Sequence, residues 1–106
     1  MTYELTVHPF KMGTDKEAAV KVLEESAESF GALQALYACE AREPSTCRLN
    51  MYPNVKQADC QHYVDLADEL ADVIQAACNL ADRYEIDLAS AMERCERRNR
   101  DRGRYE

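Results

Sequence analysis

Acidic side chains recur in two stretches of this chain at spacings that fit a helix. In the first stretch, Glu24, Glu25 and Glu28 form the pattern Glu-Glu-x-x-Glu. In the second, Glu69 and Asp72 form Glu-x-x-Asp. An α-helix turns by about 100° per residue, so each set falls within an arc of roughly 100° and can reach toward one point. Carboxylate oxygens are the ligands that Mg²⁺ prefers, and bound Mg²⁺ often bridges acids to phosphate groups.

The simpler interpretation is that these acids form the solvated faces of two helices, and the placement of basic residues bears on that choice. A solvated face usually mixes signs, because Glu–Lys pairs four residues apart stabilise a helix. Here no Lys or Arg occurs at residues 22–41 or 57–82. Like charges four residues apart destabilise a helix. We therefore expect a cation among the acids.

Helical periodicity extends through both acidic stretches. Thr14 and Glu17 have the spacing of a capping box, and apolar residues then recur every three or four positions, as on one face of a helix. Asn54 and Asp87 are suitable N-caps for two further helices. We therefore predict helices over residues 14–41, 55–84 and 87–101.

These helices predict one all-α domain over residues 1–106. Residues 2–8 alternate polar and apolar side chains, and Pro9 and Gly13 follow, which predicts a short N-terminal strand or an extended arm over residues 1–13. Residues 42–54 contain Pro44 and Pro53 and read as a connection. Three amphipathic helices of this length rarely close a full core. We therefore expect an antiparallel helical bundle completed by oligomerisation, as a homodimer or homotetramer.

Composition restricts the partners and the compartment. The net charge of −7 argues against nucleic acid as the partner. No apolar run approaches the roughly 18 residues that a membrane span needs, and the N-terminus lacks a signal-peptide pattern. The five cysteines include no Cys-x-x-Cys pair, which suits free thiols in a reducing compartment. We therefore predict a cytoplasmic protein without a membrane partner.

Two other metal sites are alternatives. Cys47, Cys60 and His62 could bind zinc, although zinc sites usually contain closer ligand pairs. Asp59-x-x-His62 has the spacing of a di-iron motif, which needs Glu-x-x-His on paired helices. Neither pattern matches its site as well as the acids match Mg²⁺.

In combination, the motifs resemble a known family. Glu-Glu-Ser-Ala-Glu at 24–28, followed by Asp-Glu-Leu-Ala-Asp-Val at 68–73, resembles the paired motif of the MazG-like all-α nucleotide pyrophosphohydrolases. Asn-Leu-Ala-Asp-Arg-Tyr-Glu-Ile-Asp-Leu at 79–88 and Arg-Arg-Asn-Arg-Asp-Arg-Gly-Arg-Tyr at 97–105 are similar to that family's third helix and tail. The resemblance covers roughly residues 15–105, except the connection.

The resemblance implies hydrolysis of a nucleoside triphosphate to the monophosphate and pyrophosphate, with Mg²⁺, or Mn²⁺ as a substitute. The implied metal ligands are Glu24, Glu25, Glu28, Glu69 and Asp72. One of the three first-helix glutamates is implied as the general base. Arg98, Asn99 and Arg102 match the family's downstream position that contacts the nucleotide. Family members are dimers or tetramers.

The chain departs from the family between the two acidic motifs. The stretch from Glu28 to Glu69 is longer than the family's pattern, which leaves the preferred base and sugar open. Phosphoribosyl-ATP pyrophosphohydrolase shares the acidic motifs and is an alternative. The other alternative is a non-enzymatic helical protein whose acidic face binds a basic partner. It predicts that single acids are replaceable with small effects, whereas an enzyme predicts that Glu28, Glu69 or Asp72 is essential for turnover.

Overall fold

The computed structural model describes residues 2–42 and 61–106. The regular secondary structure of these residues is entirely α-helical. The helices are α1 (Asp15–Arg42), α2 (Gln61–Arg83) and α3 (Leu88–Asp101). The described residues contain no strand. The all-α prediction is therefore confirmed.

Several predictions fall on residues 43–60, outside the described residues. They are the start of the second helix at residue 55 and nearly all of the connection at 42–54. Cys47, Asp59 and Cys60 of the alternative metal sites also lie there. Within the two described ranges, no helix is long and apolar enough to cross a membrane.

The start of α1 is capped by local sequence. The backbone N–H of Glu17 donates to the Thr14 hydroxyl oxygen at 3.1 Å. The Glu17 carboxylate folds back over Gly13, so closely that a β-carbon at Gly13 would clash with it. The clashing atoms are the end of a flexible side chain, so a residue with a β-carbon at position 13 would displace the Glu17 carboxylate.

The packing between α1 and α2 buries few and mostly small apolar residues. The buried apolar residues in the described ranges are Ala18, Leu36, Ala76 and Ala81. None of the large side chains described is fully buried. The single chain therefore has only a small core.

The predicted apolar stripe of α1 does not lie on the face that packs against α2. Leu23, Phe30 and Tyr37 share one face, as their spacing predicts, but they are 72%, 62% and 61% exposed. The buried face instead carries Glu25 and Ser29, between Ala18 and Leu36 in the sequence. A wide apolar face is thus left exposed, and such faces mark interaction surfaces more often than chance.

The N-terminal arm, residues 2–12, has no regular secondary structure and is held against α2 by polar side chains. Three side chains of α2 that lie one helical turn apart form hydrogen bonds to the backbone of the arm, at residues that are two positions apart. The pairs are Gln75 to the His8 carbonyl at 3.0 Å, Asn79 to the Phe10 N–H at 2.9 Å, and Arg83 to the Met12 carbonyl at 2.5 Å. The arm therefore runs parallel to α2. A strand formed with a second subunit stays a prediction.

The turn after α2 places a non-glycine residue in a left-handed conformation. The N–H of Ile86 donates to the Ala81 carbonyl at 3.0 Å, and the N–H of Glu85 donates to the Asp82 carbonyl at 3.1 Å. This is the hydrogen-bond pattern of a Schellman motif, in which glycine usually occupies the position of Glu85. Glu85 has a φ of 53°.

Asp87 caps α3, as the sequence predicted. Its carboxylate accepts hydrogen bonds from the Ser90 N–H at 3.1 Å and the Ser90 hydroxyl at 2.7 Å. These bonds stabilise the charged form and lower the pKa of Asp87. Beyond this cap, α3 makes only sparse contact with α1 and α2, and none of its residues is buried.

Candidate metal centre

Packing of α1 against α2 brings three of the predicted ligands together. One carboxylate oxygen from each of Glu25, Glu69 and Asp72 lies within 4.8 Å of the other two. Glu25 comes from the buried face of α1, whereas Glu69 and Asp72 follow each other on α2. Oxygens on opposite sides of Mg²⁺ lie about 4.2 Å apart, because each bond is about 2.1 Å long. Small side-chain rotations would therefore let all three bind one ion.

Two of these carboxylates have buried oxygens without a hydrogen-bond partner. Glu25 is only 7% exposed, and its Oε2 accepts no hydrogen bond. Glu69 is half-buried, and its Oε2 also lacks a donor. Buried polar atoms nearly always have a partner, because an unpaired one loses its hydration without compensation. A cation between the two carboxylates would supply what both oxygens lack.

The position of Glu25 distinguishes this cluster from a solvated acidic face. A solvated face keeps its carboxylates in water, as Asp65, Asp68 and Asp72 are kept here. Glu25 instead lies in the packed interface, where Lys21 pairs with its Oε1 and its buried Oε2 has no partner. The simpler interpretation thus describes the exposed acids of α2 but not the buried, unpartnered oxygens of Glu25 and Glu69.

Glu28 lies against the same cluster and remains exposed. The neighbouring Glu25, through a shared hydrogen bond and its charge, raises the pKa of Glu28. Desolvation and the carboxylate of Glu69 act in the same direction. Glu28 therefore holds a proton more readily than an isolated glutamate.

Lys21 neutralises part of the cluster, which the sequence analysis missed. Its Nζ lies 3.1 Å from Oε1 of Glu25 and 3.6 Å from Oε2 of Glu24. The hydrogen bond and charge of Glu25 raise the pKa of Lys21 most, and the charge of Glu24 adds to the effect. The signal was available, because Lys21 and Glu25 have the i, i+4 spacing of a helical ion pair. Lys21 therefore forms ion pairs with Glu24 and Glu25, whereas Glu28 forms none among the described residues.

Glu24 lies at the edge of the cluster. Its side chain is 56% exposed and pairs only with Lys21 among the described residues. The remaining predicted contacts, Arg98, Asn99 and Arg102, are on α3. Arg98 and Arg102 are exposed, and the Asn99 amide donates to the Cys95 sulfur at 3.6 Å. Within the described ranges, none of these three side chains is hydrogen-bonded or ion-paired to the acids.

Arg83 joins the arm, α1 and α2 near the start of α1. Its Nε donates to the Asp15 carboxylate at 2.7 Å, and its Nη1 donates to the Met12 carbonyl. The hydrogen bond from Arg83 lowers the pKa of Asp15 most, and a hydrogen bond from Tyr84 lowers it further. The i, i+4, i+8 spacing of Gln75, Asn79 and Arg83 could have indicated a polar stripe on α2.

No second group of three potential metal ligands occurs in the part of the chain that the structure describes. His62 belongs to none there. The zinc and di-iron alternatives otherwise depend on Cys47, Asp59 and Cys60, which lie outside that part.

Comparisons with protein-family models, curated proteins and solved structures find no match to this chain. The resemblance to the MazG-like family therefore stays a hypothesis based on the motifs quoted above.

Proposed function

We propose that this protein is a cytoplasmic, Mg²⁺-dependent nucleotide pyrophosphohydrolase that acts as a homodimer or homotetramer. The observation that supports this most strongly is the pair of buried, unpartnered oxygens of Glu25 and Glu69 next to Asp72. The motif resemblance supplies the reaction class. The substrate is a nucleoside triphosphate, and the products are the monophosphate and pyrophosphate.

In this proposal Glu25, Glu69 and Asp72 hold Mg²⁺, or Mn²⁺ in its place, and Glu24 adds a carboxylate at the exposed edge. Bound Mg²⁺ supplies positive charge that offsets the phosphate charges and favours ionisation of water. The burial of Glu25 keeps its carboxylate fixed between the helices, which preorganises the site.

Glu28 is the first-helix glutamate best suited to act as general base. It lies against the cluster, and it is exposed where water can reach it. Glu28 accepts a proton from water while the water oxygen forms a bond to phosphorus. The P–O bond to the leaving group then breaks, and pyrophosphate and the monophosphate separate. Substitution of Glu28 by Gln should therefore abolish turnover while metal binding is retained.

Oligomerisation is expected because the single chain leaves its apolar faces uncovered. Leu23 and Phe30 of α1 and Met92 of α3 are all more than half exposed. A second subunit that covers these faces could also bring Arg98, Asn99 and Arg102 of α3 to a nucleotide. Leu23→Asp should therefore lower the mass measured by sedimentation equilibrium. An unchanged mass would contradict oligomerisation through this face.

The reaction is tested by pyrophosphate release from a panel of ribo- and deoxyribonucleoside triphosphates and phosphoribosyl-ATP. Each is assayed with Mg²⁺ and then with EDTA. Wild-type protein should release pyrophosphate only with Mg²⁺, and Asp72→Asn should abolish the release. Asp68→Asn is the matched control, because it removes the same charge from an exposed position on α2.

Each outcome of this panel has a distinct meaning. Release from phosphoribosyl-ATP alone would favour the specialised enzyme over the general one. No release from any compound by folded protein would contradict the enzymatic proposal and favour the acidic interaction protein. Release that is equal in wild-type protein and Asp72→Asn would contradict the role of the cluster.

A further inference from the structure

A groove lies between the N-terminal arm and α1, next to the carboxylate cluster. Its cavity volume is about 340 Å³. The arm contributes Met12, and α1 contributes the other walls. The lining residues are Met12, Lys16, Glu17, Val20, Lys21 and Glu24. We call this cavity the arm groove.

The arm groove opens toward the cluster at one end. Lys21 and Glu24 line it, and Lys21 also forms the ion pair with Glu25 at 3.1 Å. The α1 lining residues fall within an arc of roughly 140° at about 100° per residue, so they share one face of the helix. A molecule in the groove would therefore lie beside the proposed metal site.

The wall formed by the arm is held in place by α2. The Arg83 guanidinium donates to the Met12 carbonyl and to Asp15 at the start of α1. Two residues earlier in the arm, the Phe10 N–H donates to the buried Asn79 at 2.9 Å. The groove is therefore bounded by anchored backbone on one side and a helix on the other.

The lining combines two lysines and two glutamates with an apolar surface, and the two lysines differ in their ion pairs. Among the described residues no carboxylate forms an ion pair with Lys16, so its ammonium group is available to a ligand. Lys21 is held by Glu25 and Glu24, and a metal ion on Glu25 would compete for that carboxylate. Met12 and Val20 supply apolar surface, of which Val20 is 38% exposed. An anionic ligand with an apolar part fits this lining.

We propose that the arm groove binds the nucleoside triphosphate, with Lys21 and Lys16 pairing with phosphate oxygens and Met12 and Val20 contacting the nucleoside. This inference rests on the proposed function, because that function supplies the triphosphate. A volume of about 340 Å³ holds only part of such a ligand, which leaves the remaining phosphates at the carboxylates. Lys16 and Met12 thereby become determinants of substrate affinity that neither acidic motif contains.

The test uses the α,β-imido analogues of ATP, GTP, CTP and UTP with Mg²⁺, titrated into the full chain by calorimetry. Lys16→Gln should weaken binding of the preferred analogue by roughly tenfold or more, which is the usual effect of losing a charged hydrogen bond. Val20→Asp should weaken it further by replacing the apolar surface that contacts the nucleoside with a carboxylate, which also repels the anionic ligand. Lys11→Gln is the control, because Lys11 is a lysine of the arm that does not line this groove.

Two further readouts separate this proposal from the proposed function. Mn²⁺ binding without nucleotide should be the same in Lys16→Gln as in wild-type protein, and circular dichroism should show both variants folded. Addition of the analogue should also shift the NMR signals of the Val20 and Met12 methyl groups.

If wild-type protein releases pyrophosphate but Lys16→Gln and Val20→Asp bind the analogue normally, the groove assignment is wrong and the function stands. If binding depends on both residues but no pyrophosphate is released, the groove stands and the function is wrong. If wild-type protein binds none of these analogues or their deoxyribose counterparts and releases no pyrophosphate, both are overturned.

Discussion

Glu69→Gln should make the metal-free protein more stable. This substitution keeps the size of the side chain and removes one charge from the cluster. Carboxylate oxygens of Glu25 and Asp72 lie within 4.8 Å of that of Glu69. Unit charges at this distance repel by about 3 kcal/mol at an effective dielectric constant of ~20, and by about 1 kcal/mol in water. Asp72 is exposed and nearer the second case, and the repulsion from the buried Glu25 stays below the first case because Lys21 lies 3.1 Å from its carboxylate.

The summed relief is on the order of 1–2 kcal/mol once the charge of Lys21 and the reorganisation of the exposed group are included. A domain of this size gains about 4–8 °C in Tm for each kcal/mol. In EDTA, Glu69→Gln should therefore melt about 5 °C or more above wild-type protein. In Mg²⁺ the difference should shrink or reverse, because a ligand at 100 times its Kd stabilises by about 2.7 kcal/mol and only wild-type protein binds it fully.

Differential scanning calorimetry in EDTA and in Mg²⁺ measures both differences. The control is Asp68→Asn, an exposed neighbour of Glu69 whose charge loss should change stability by no more than about 0.5 kcal/mol in either buffer. A Glu69→Gln protein that melts below wild-type protein in EDTA would refute the reasoning. It would mean that Glu69 is stabilised by groups of the protein itself.

Three further predictions concern the turn, the titration of the cluster and the arm. Glu85→Gly should raise stability by about 1 kcal/mol in thermal melts, because Glu85 has a φ of 53° and glycine adopts this conformation without the penalty of a side chain; Glu85→Ala, which keeps the penalty, should not. The raised pKa of Glu28 means that its proton binds the folded state more tightly, so the metal-free Tm should rise as pH falls from 7 toward the ordinary value of 4.5, and neither Glu28→Gln nor Mg²⁺-saturated protein should show the same rise. Asn79→Leu should accelerate hydrogen exchange of the Phe10 amide measured by NMR, because that amide loses its acceptor; unchanged exchange would show that the arm is held elsewhere.

The helix caps could be predicted from sequence because each is a contact between residues close in the chain. Thr14 accepts from the N–H three residues on, and Asp87 does the same for Ser90. Helix type and capping therefore need no knowledge of the tertiary structure. The left-handed Glu85 was not predicted, since the sequence has glutamate where this turn usually has glycine.

The face of α1 that packs against α2 could not be predicted in the same way. The helix has a stripe of large apolar residues, including Leu23 and Phe30, and periodicity alone favours burying it. The single chain instead buries a narrower face that includes Glu25 and Ser29. The choice depends on the relative register of α1 and α2, which no local pattern encodes.

Some features of the candidate site follow from local spacing, and others depend on how the helices pack. That Glu25, Glu69 and Asp72 could meet was predictable from their spacing within each helix. That Glu25 would be buried with an unpartnered oxygen depends on packing. That the arm forms one wall of a groove could not be predicted, because the hydrogen bonds that hold it join residues 67–71 positions apart in the sequence.

The central claim is that the cluster of Glu25, Glu69 and Asp72 binds a divalent cation, and direct binding of Mn²⁺ tests it most simply. Free Mn²⁺ is measured by electron paramagnetic resonance during titration of wild-type protein, Glu25→Gln and the control Asp68→Asn. We expect wild-type protein and the control to bind Mn²⁺ alike, Mg²⁺ to displace it, and Glu25→Gln to lose it. Equal binding by Glu25→Gln and wild-type protein would contradict the account.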